Sequence, residues 1–520
     1  MKVLQYGFLL FFLISSGLYA QTSGKEKLRG FVFSDSNQNG ILDPGEPGIA
    51  GVCVSNGKEV VQTDSFGRWE LPWKNVSDVF VIKPTNFSVP LNPQNIPQHF
   101  FSRDDTEENT AVNFPLYPVD ENDKFSVLFF GDTQARGLRE VNFILHDVVE
   151  ECMETDAAFG VSLGDIVADD PKLFTEVSEG IGQIGIPWYN IFGNHDHDRD
   201  EKHNANKDKT FRRFFGPSTY AFEYGEVAFI GLNNVFFNEK GKYHAHLTDE
   251  QLSFIENYLS FVPEEKLVVL MMHIPVVRID TKEKLYEILQ NRKHTFSISG
   301  HVHEQIHVFV DEEMGWKGPE PHHHLINATV CGSWWCGLYD ETGIPHATMN
   351  DGAPNGYSIV TFDGNEYRIQ FKAARRPVDY QMNIYLADEL AQHELDTTNV
   401  LVNIFAGSSR SKVEMRFGKN GIWIPMQQMA TIDPECLRMH QLSPVLDFEL
   451  NGQVLEDLFG YKMDYPSVST HIWQGKLPEG IQSGTHTVTV RTTDMFNQTW
   501  TGHRIFRVRE EGEKLKTQLN

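Results

Sequence analysis

Val127-Leu128-Phe129-Phe130 runs into Gly131-Asp132-Thr133-Gln134, and that junction decides how the chain reads. An apolar, aromatic run stops at a glycine and hands over to a carboxylate and an amide. The same grammar recurs four times downstream. Gly164-Asp165 follows Phe159-Gly160-Val161-Ser162-Leu163, and Gly193-Asn194-His195-Asp196 follows Tyr189-Asn190-Ile191-Phe192. His273 comes shortly after Leu267-Val268-Val269-Leu270, and Gly300-His301-Val302-His303 follows Thr295-Phe296-Ser297-Ile298-Ser299. Such runs read as buried strands, and in α/β sheets ligands gather beyond the carboxyl ends of the strands. Five strand ends therefore aim two Asp, one Asn, one Gln and four His at one crevice.

Working outward, helical stripes separate these strands. Val141, Ile144, Leu145, Val148, Val149 and Cys152 recur at helical spacing, and Thr248 with Gln251 forms a capping box before Leu252, Ile255 and Leu259. Strands alternating with helices over residues 119–376 predict an α/β layered domain. Residues 25–118 are strand and turn, as in Gly30-Phe31-Val32-Phe33 and Gly51-Val52-Cys53-Val54, which predicts a small β-sandwich, Ig-like or transthyretin-like. Pro115, Pro118 and the polar Asp120-Glu121-Asn122-Asp123-Lys124 mark the linker. From residue 377 to 510 the text is β again, as in Gly484-Thr485-His486-Thr487-Val488-Thr489-Val490, which predicts a second sandwich before a polar tail over 511–520. A length of 520 residues fits several domains better than one core.

Residues 1–20 read as a signal peptide. Lys2 precedes an apolar run from Tyr6 to Ile14, then Ser15-Ser16-Gly17-Leu18-Tyr19-Ala20 offers a cleavage site before Gln21. The run is shorter than the roughly 20 residues of a spanning helix, so no transmembrane segment is expected after cleavage. The expected location is periplasmic or secreted. Five cysteines, an odd number, leave at least one unpaired. Cys331 and Cys336 are close enough to bridge across a turn, and equally fit as small buried thiols.

The ordered set Asp132/Gln134, Asp165, Asn194-His195-Asp196, His273 and His301/His303 resembles the calcineurin-like metallophosphoesterase superfamily. That resemblance implies a four-layer α/β sandwich core and a metal-dependent hydrolase of phosphate mono- or diesters. Carried onto matching positions, it implies a first metal held by Asp132, Gln134, Asp165 and His303, and a second by Asp165, Asn194, His273 and His301. His195 would stabilise the transferring phosphoryl group or protonate the leaving oxygen, with Asp196 orienting its ring. The cofactors implied are two divalent ions (Mn, Fe, Zn or Mg). Two such ions carry about four positive charges against two carboxylates, a surplus that suits a phosphate ester. The net charge of −26 argues against a broad nucleic-acid-binding surface without excluding such a substrate.

Gln134 stands where the superfamily pattern has His. An amide oxygen is harder and weaker than imidazole, so the first site should favour Mn, Mg or Fe over Zn. The alternative is a Gln that hydrogen-bonds a metal-bound water. His303-Glu304-Gln305-Ile306-His307 also matches the zinc-protease motif His-Glu-x-x-His, but that chemistry needs a helix and the surrounding text is strand-like. A non-catalytic protein docking to envelope or glycan through its β domains is the remaining alternative.

A second metal site is expected in the N-terminal block. Asp35, Asn37, Asn39, Asp43 and Glu46 occupy positions 1, 3, 5, 9 and 12 of a calcium loop, with Gly40 at 6 and the carbonyl of Ile41 at 7. Plain Asn-Gly and Pro-Gly turns are the competing reading. For substrate contact the candidates are Arg136, just beyond the first ligands, and Trp334 and Trp335. The polar stretch from His197 to Arg213 suits a mobile rim. His322-His323-His324 reads as a solvated loop.

Overall fold

The computed structural model describes residues 27–73, 77–103, 111–442, 449–450, 453–454 and 461–510. The signal-peptide segment and the polar tail lie outside the described residues. Two sheets build the middle of the molecule. One has the order Trp188–Asn190, Phe159–Ser162, Lys124–Phe130, Gly356–Asp363, Glu366–Ala373; the first three strands are parallel and the last two close it as an antiparallel hairpin. The other runs Tyr220–Tyr224, Val227–Leu232, Leu267–Met272, Thr295–Ser299, His322–Ile326, Ile306–Val310. Its four inner strands are parallel, with an antiparallel strand at each edge.

Aromatic side chains hold the two sheets face to face. Phe229 meets Phe159 at 5.2 Å and Phe362 at 5.4 Å, and Phe296 stacks on Tyr367 at 4.4 Å. Burying each such ring contributes roughly 1.5–3 kcal/mol. The parallel strands within each sheet end together, and all five motifs lie just past those ends. The capping box is present: Thr248 Oγ1 accepts from the Gln251 amide, and the Gln251 side chain accepts from Thr248 N–H. The stripe from Val141 to Cys152 is helical, with a wider turn over Leu145–Val149.

Strand-rich domains flank this body. The N-terminal one pairs two four-stranded sheets around Val32, Val54, Trp69, Val79 and Phe114. It is pinned to the middle by Lys83, which is ion-paired to Glu121 and donates 2.6 Å to the Glu223 carbonyl, and by Arg212–Asp78 at 3.1 Å. The C-terminal one packs its sheets around Val402, Met415, Trp473, Val488 and Phe506. Its buried His471 reaches Asp351 Oδ2 at 2.9 Å through Nε2 and Asn403 Oδ1 at 2.7 Å through Nδ1. The same Asp351 oxygen accepts the Gln305 N–H at 2.7 Å, and Asn350 N–H donates to the His303 carbonyl at 3.2 Å.

One sequence expectation needs correction here, and one open alternative is decided. His322-His323-His324 is not a solvated loop but a buried strand, because neutral imidazoles find partners across the sheet. His322 lies 2.9 Å from Thr295 Oγ1 and 2.7 Å from Ser297 Oγ; His324 lies 2.8 Å from Ser297 Oγ and 3.1 Å from Ser299 Oγ. Cys331 and Cys336 are not bridged and are both free thiols. The protease-like motif is not helical either, since His303 and Glu304 lie in a bend that leads into the strand Ile306–Val310.

Candidate metal centre

The crevice gathers every sequence-predicted ligand. Five of them hold backbones that ordinary residues avoid: φ is +26° at Asp132, +42° at Gln134, +48° at Asp165, +75° at His301 and +58° at His303. Such conformations cost of order 1–3 kcal/mol each and cluster at functional sites. The glycines are part of the same construction. A Cβ on Gly193 would sit 2.3 Å from Asp165 Oδ1, and one on Gly300 would sit 2.3 Å from Asp132 Oδ1.

Four of the candidate ligands are each held by one atom and offer another. His273 Nδ1 faces the Leu163 carbonyl at 2.9 Å, and His303 Nδ1 faces the Gly332 carbonyl at 2.5 Å. Carbonyls only accept, so both rings carry their proton on Nδ1 and aim Nε2 inward. Asp132 Oδ1 accepts from His301 N–H at 2.9 Å, and Asp165 Oδ1 from His195 N–H at 2.7 Å. What remains points inward. Asp132 Oδ2 is buried without a hydrogen-bond partner, 3.3 Å from His303 Nε2. His273 Nε2 has Asp165 Oδ2 at 3.2 Å, Asn194 Oδ1 at 3.0 Å and His301 Nδ1 at 3.1 Å.

Electron-rich atoms converging at these distances require something positive between them. Burial alone would lower the pKa of His273, yet the Asp165 carboxylate raises it to about 9. Burial would likewise raise Asp165, and the charge of His273 instead holds it well below the usual carboxylate range. Burial and the neighbouring His273 push His301 down to about 4, leaving it the neutral form a metal needs. The field that holds a proton on His273 would hold a divalent cation more strongly, so the residues present fit the metals that the motif implies.

His195 is placed at the rim, but its ring is not oriented by Asp196. Asp196 is fully buried and its carboxylate accepts from Ile166, Val167 and Gly193 N–H at 2.8, 3.1 and 2.9 Å. Burial and the Asp165 charge push it up to about 7. The group facing His195 Nδ1 is Asp169, at 2.9 Å. Asp169 was missed because only the turn after Asp165 brings it there. A left-handed φ of +68° at Asp169 marks that turn.

Among the expected substrate contacts, Trp335 needs correction. It is 0% exposed, donates to the Thr133 carbonyl and packs on Phe143, so it supports the first motif from beneath. Trp334, its neighbour, turns the other way. It is 45% exposed, its indole N–H lies 2.7 Å from His303 Nε2, and its ring centroid is 6.1 Å from that of His195. Arg136 is engaged by Glu140, by the Trp334 carbonyl and by the Tyr461 ring at 4.2 Å, so it braces the Trp334 loop. Cys331 was not foreseen as a neighbour of the centre. Its buried sulfur lies 3.7 Å from Gln134 Oε1 and from His303 Nδ1, and burial pushes its thiol up, so it acts as an S–H donor.

The N-terminal loop is organised around its acidic and amide groups. Asn37 and Asn39 both donate to Asp43 Oδ2 at 2.9 Å, and Glu46 accepts from the Ser36 and Asp43 amides at 3.0 Å. Asp35 is 0% exposed; one oxygen accepts from Gly40 N–H at 2.7 Å and the other has no partner. Ile41 exposes its side chain, as a residue contributing only its carbonyl would.

Among the described residues no helix is long and apolar enough to cross a membrane. Three family models match the chain: the N-terminal part of calcineurin-like phosphoesterase over residues 36–119, calcineurin-like phosphoesterase over 125–305, and its C-terminal part over 324–500. No curated protein matches. Solved structures that match include a purple acid phosphatase from yellow lupin (Lupinus luteus) seeds, 12% identical over 67% of each chain. Its TM-score of 0.36 is too low to carry an argument. The family matches run from the N-terminal strands through the metal crevice to the C-terminal sheets, and the chain belongs to the calcineurin-like phosphoesterases, metal-dependent hydrolases of phosphate esters.

Proposed function

We propose that the chain is an exported phosphoesterase whose centre takes two divalent ions. Asp132, Gln134, Asp165 and His303 would hold one, and Asp165, Asn194, His273 and His301 the other. The observation that carries this reading is the convergence of inward atoms, above all His273 Nε2 with Asp165 Oδ2 at 3.2 Å and Asn194 Oδ1 at 3.0 Å, beside the buried and unpartnered Asp132 Oδ2. Two such ions supply Lewis acidity toward the phosphoryl oxygens and lower the pKa of an attacking water. His195 delivers a proton to the leaving oxygen from its Nε2, with Nδ1 held by Asp169. Trp334, at the rim between His195 and His303, offers an aromatic face to the ester's organic group. Mn, Mg or Fe suits the Gln134 side better than Zn, because its donor is an amide oxygen.

Hydrolysis of p-nitrophenyl phosphate and bis-p-nitrophenyl phosphate, with each metal added separately, tests the reading. Activity should depend on added metal and fall to background in Asp165→Ala. Hydrolysis that survives that substitution, or that needs no metal, overturns it.

Two parts of the proposal stand apart from the centre. Lys2 and the apolar run before Ala20 support export, so mature protein recovered outside the cytoplasm should begin at Gln21. The unpartnered, buried oxygen of Asp35 supports a structural calcium in the loop from Asp35 to Glu46. Calcium should raise the unfolding temperature of the wild type and leave that of Asp35→Ala unchanged.

A further inference from the structure

Away from the central crevice, a second set of metal-ligating side chains meets on the short strand Tyr243–Ala245. This strand pairs antiparallel with Val235–Phe237, with Phe236 opposite His244. Residues two apart on extended chain face the same side, which puts His244 and His246 together, their ring centroids 5.9 Å apart. The Phe236 ring lies 5.3 Å from His244 and 5.2 Å from His246, forming a common apolar floor. Asp280 arrives from a different segment. Its backbone N–H donates to the Ala245 carbonyl at 3.0 Å, which fixes its carboxylate beside the strand. Oδ1 lies 2.7 Å from His246 Nδ1, and Oδ2 lies 3.5 Å from His244 Nε2. One ligand atom from each of the three residues falls within 4.8 Å of the others.

We propose that His244, His246 and Asp280 form a third metal site, distinct from the catalytic centre, that takes a borderline transition-metal ion such as zinc. Two imidazoles and one carboxylate make a donor set that suits zinc and disfavours calcium or magnesium, which want oxygen. All three side chains are partly exposed, at 44%, 27% and 49%, so an ion can enter from solvent and keep a water ligand.

The position gives the site a purpose. The hairpin from Val235 to Ala245 carries Tyr243, whose ring stands edge-on to the His301 ring at 5.9 Å. At its base, Asn234 is clipped to Ile274, the residue after His273, by bonds of 2.6 and 3.1 Å. At its far strand the Ala245 carbonyl takes the Asp280 N–H, Leu247 N–H donates to Thr281 Oγ1 at 3.1 Å, and the side-chain pairing of Asp280 with the two histidines is the exposed part of this joint. A metal ion there fastens the hairpin to the segment that follows His273, and so holds Tyr243 against His301. The site is a staple for one wall of the crevice.

The test uses the full-length protein with its catalytic metals in place. Zinc is added in slight excess, loosely held metal is removed by gel filtration, and metal per chain is measured by mass spectrometry for wild type, His244→Ala, His246→Gln and Asp280→Asn. Wild type should retain one zinc equivalent more than each variant. In parallel, trypsin cleavage at the exposed Lys240 and Lys242 should slow about tenfold on adding zinc to wild type, with no change in the variants. Copper substituted for zinc should show nitrogen couplings in its electron paramagnetic resonance spectrum that His244→Ala removes. An extra equivalent absent from wild type, or retained by all three variants, overturns the proposal and leaves Asp280 as a hydrogen-bond partner of two histidines. The exposed positions of these side chains let the variants fold, and unchanged catalytic metal content confirms that they have.

Discussion

Nδ1 of His195 lies 2.9 Å from Oδ1 of Asp169, whose other oxygen is ion-paired to Arg199, while the adjacent Asp196 turns inward to three backbone amides. The two neighbouring carboxylates therefore have separate work: Asp169 acts on the imidazole, and Asp196 ties the loop that carries it.

That division predicts different kinetic defects. His195→Ala should lower kcat by about 10²–10⁴-fold, the range for a lost general acid. The loss should be greater for an alkyl phosphate than for p-nitrophenyl phosphate, whose leaving group needs no proton. Asp169→Asn should lower kcat by roughly 10–100-fold, as for loss of an orienting partner. Equal losses on both substrates would remove proton delivery from His195.

Asp196→Asn should act on stability first. An amide offers one acceptor oxygen, so at least one of three buried N–H groups loses its partner, at about 1–3 kcal/mol. Urea unfolding should register that loss, and the kcat defect should be smaller than in His195→Ala. An Asp196→Asn protein of full stability and His195→Ala-like kinetics would contradict the assignment.

Gly300→Ala brings a methyl group to 2.3 Å from Asp132 Oδ1, so the carboxylate or the motif must shift. Metal content should fall with little change in unfolding temperature, measured by elemental analysis alongside calorimetry. Full metal retention would show that the close approach is easily relieved.

Gln134→His replaces an amide oxygen by imidazole at the first position. Competition between zinc and manganese for the purified protein should move toward zinc. An unchanged ratio would place Gln134 outside the coordination sphere.

The buried histidine strand makes stability depend on pH. Burial pushes His322 down to about 4, and burial with the nearby His322 pushes His324 to about 3. Between the unfolded value near 6.5 and these folded values, the unfolded chain binds protons that the native strand refuses. Stability therefore holds above pH 6.5 and declines as the pH falls toward 4, by about 1.4 kcal/mol per pH unit for each ring. Urea midpoints from pH 7 to 4.5 should show this slope, and His322→Gln/His324→Gln should flatten it.

The centre was legible because strand ends and ligand types both leave local marks: an apolar run, a glycine, then Asp, Asn or His. The same holds for the capping box at Thr248, which is three residues of sequence and one turn of structure. What stayed hidden depends on contacts between distant segments. Cys331 reaches Gln134 only because Cys331 N–H bonds the Asp132 carbonyl across the sheet. Trp334 and Trp335 look alike in sequence, and left-handed backbones, φ +62° and +54°, send one to solvent and one beneath the site. His322-His323-His324 looked polar by composition, yet each ring pairs with a side chain on a neighbouring strand: His322 and His324 with hydroxyls along Thr295–Ser299, and His323 with His307.

The chain of contacts from His471 through Asp351 to Gln305, together with the Asn350 bond to His303, has a consequence for inheritance. The C-terminal domain supplies an imidazole that closes a wholly buried network beside the candidate ligand His303. Cut away, it would take the imidazole from Asp351 and open this buried network to solvent. The catalytic unit is thus not a portable cassette. A swap of terminal domains between relatives would have to carry both halves of this joint at once.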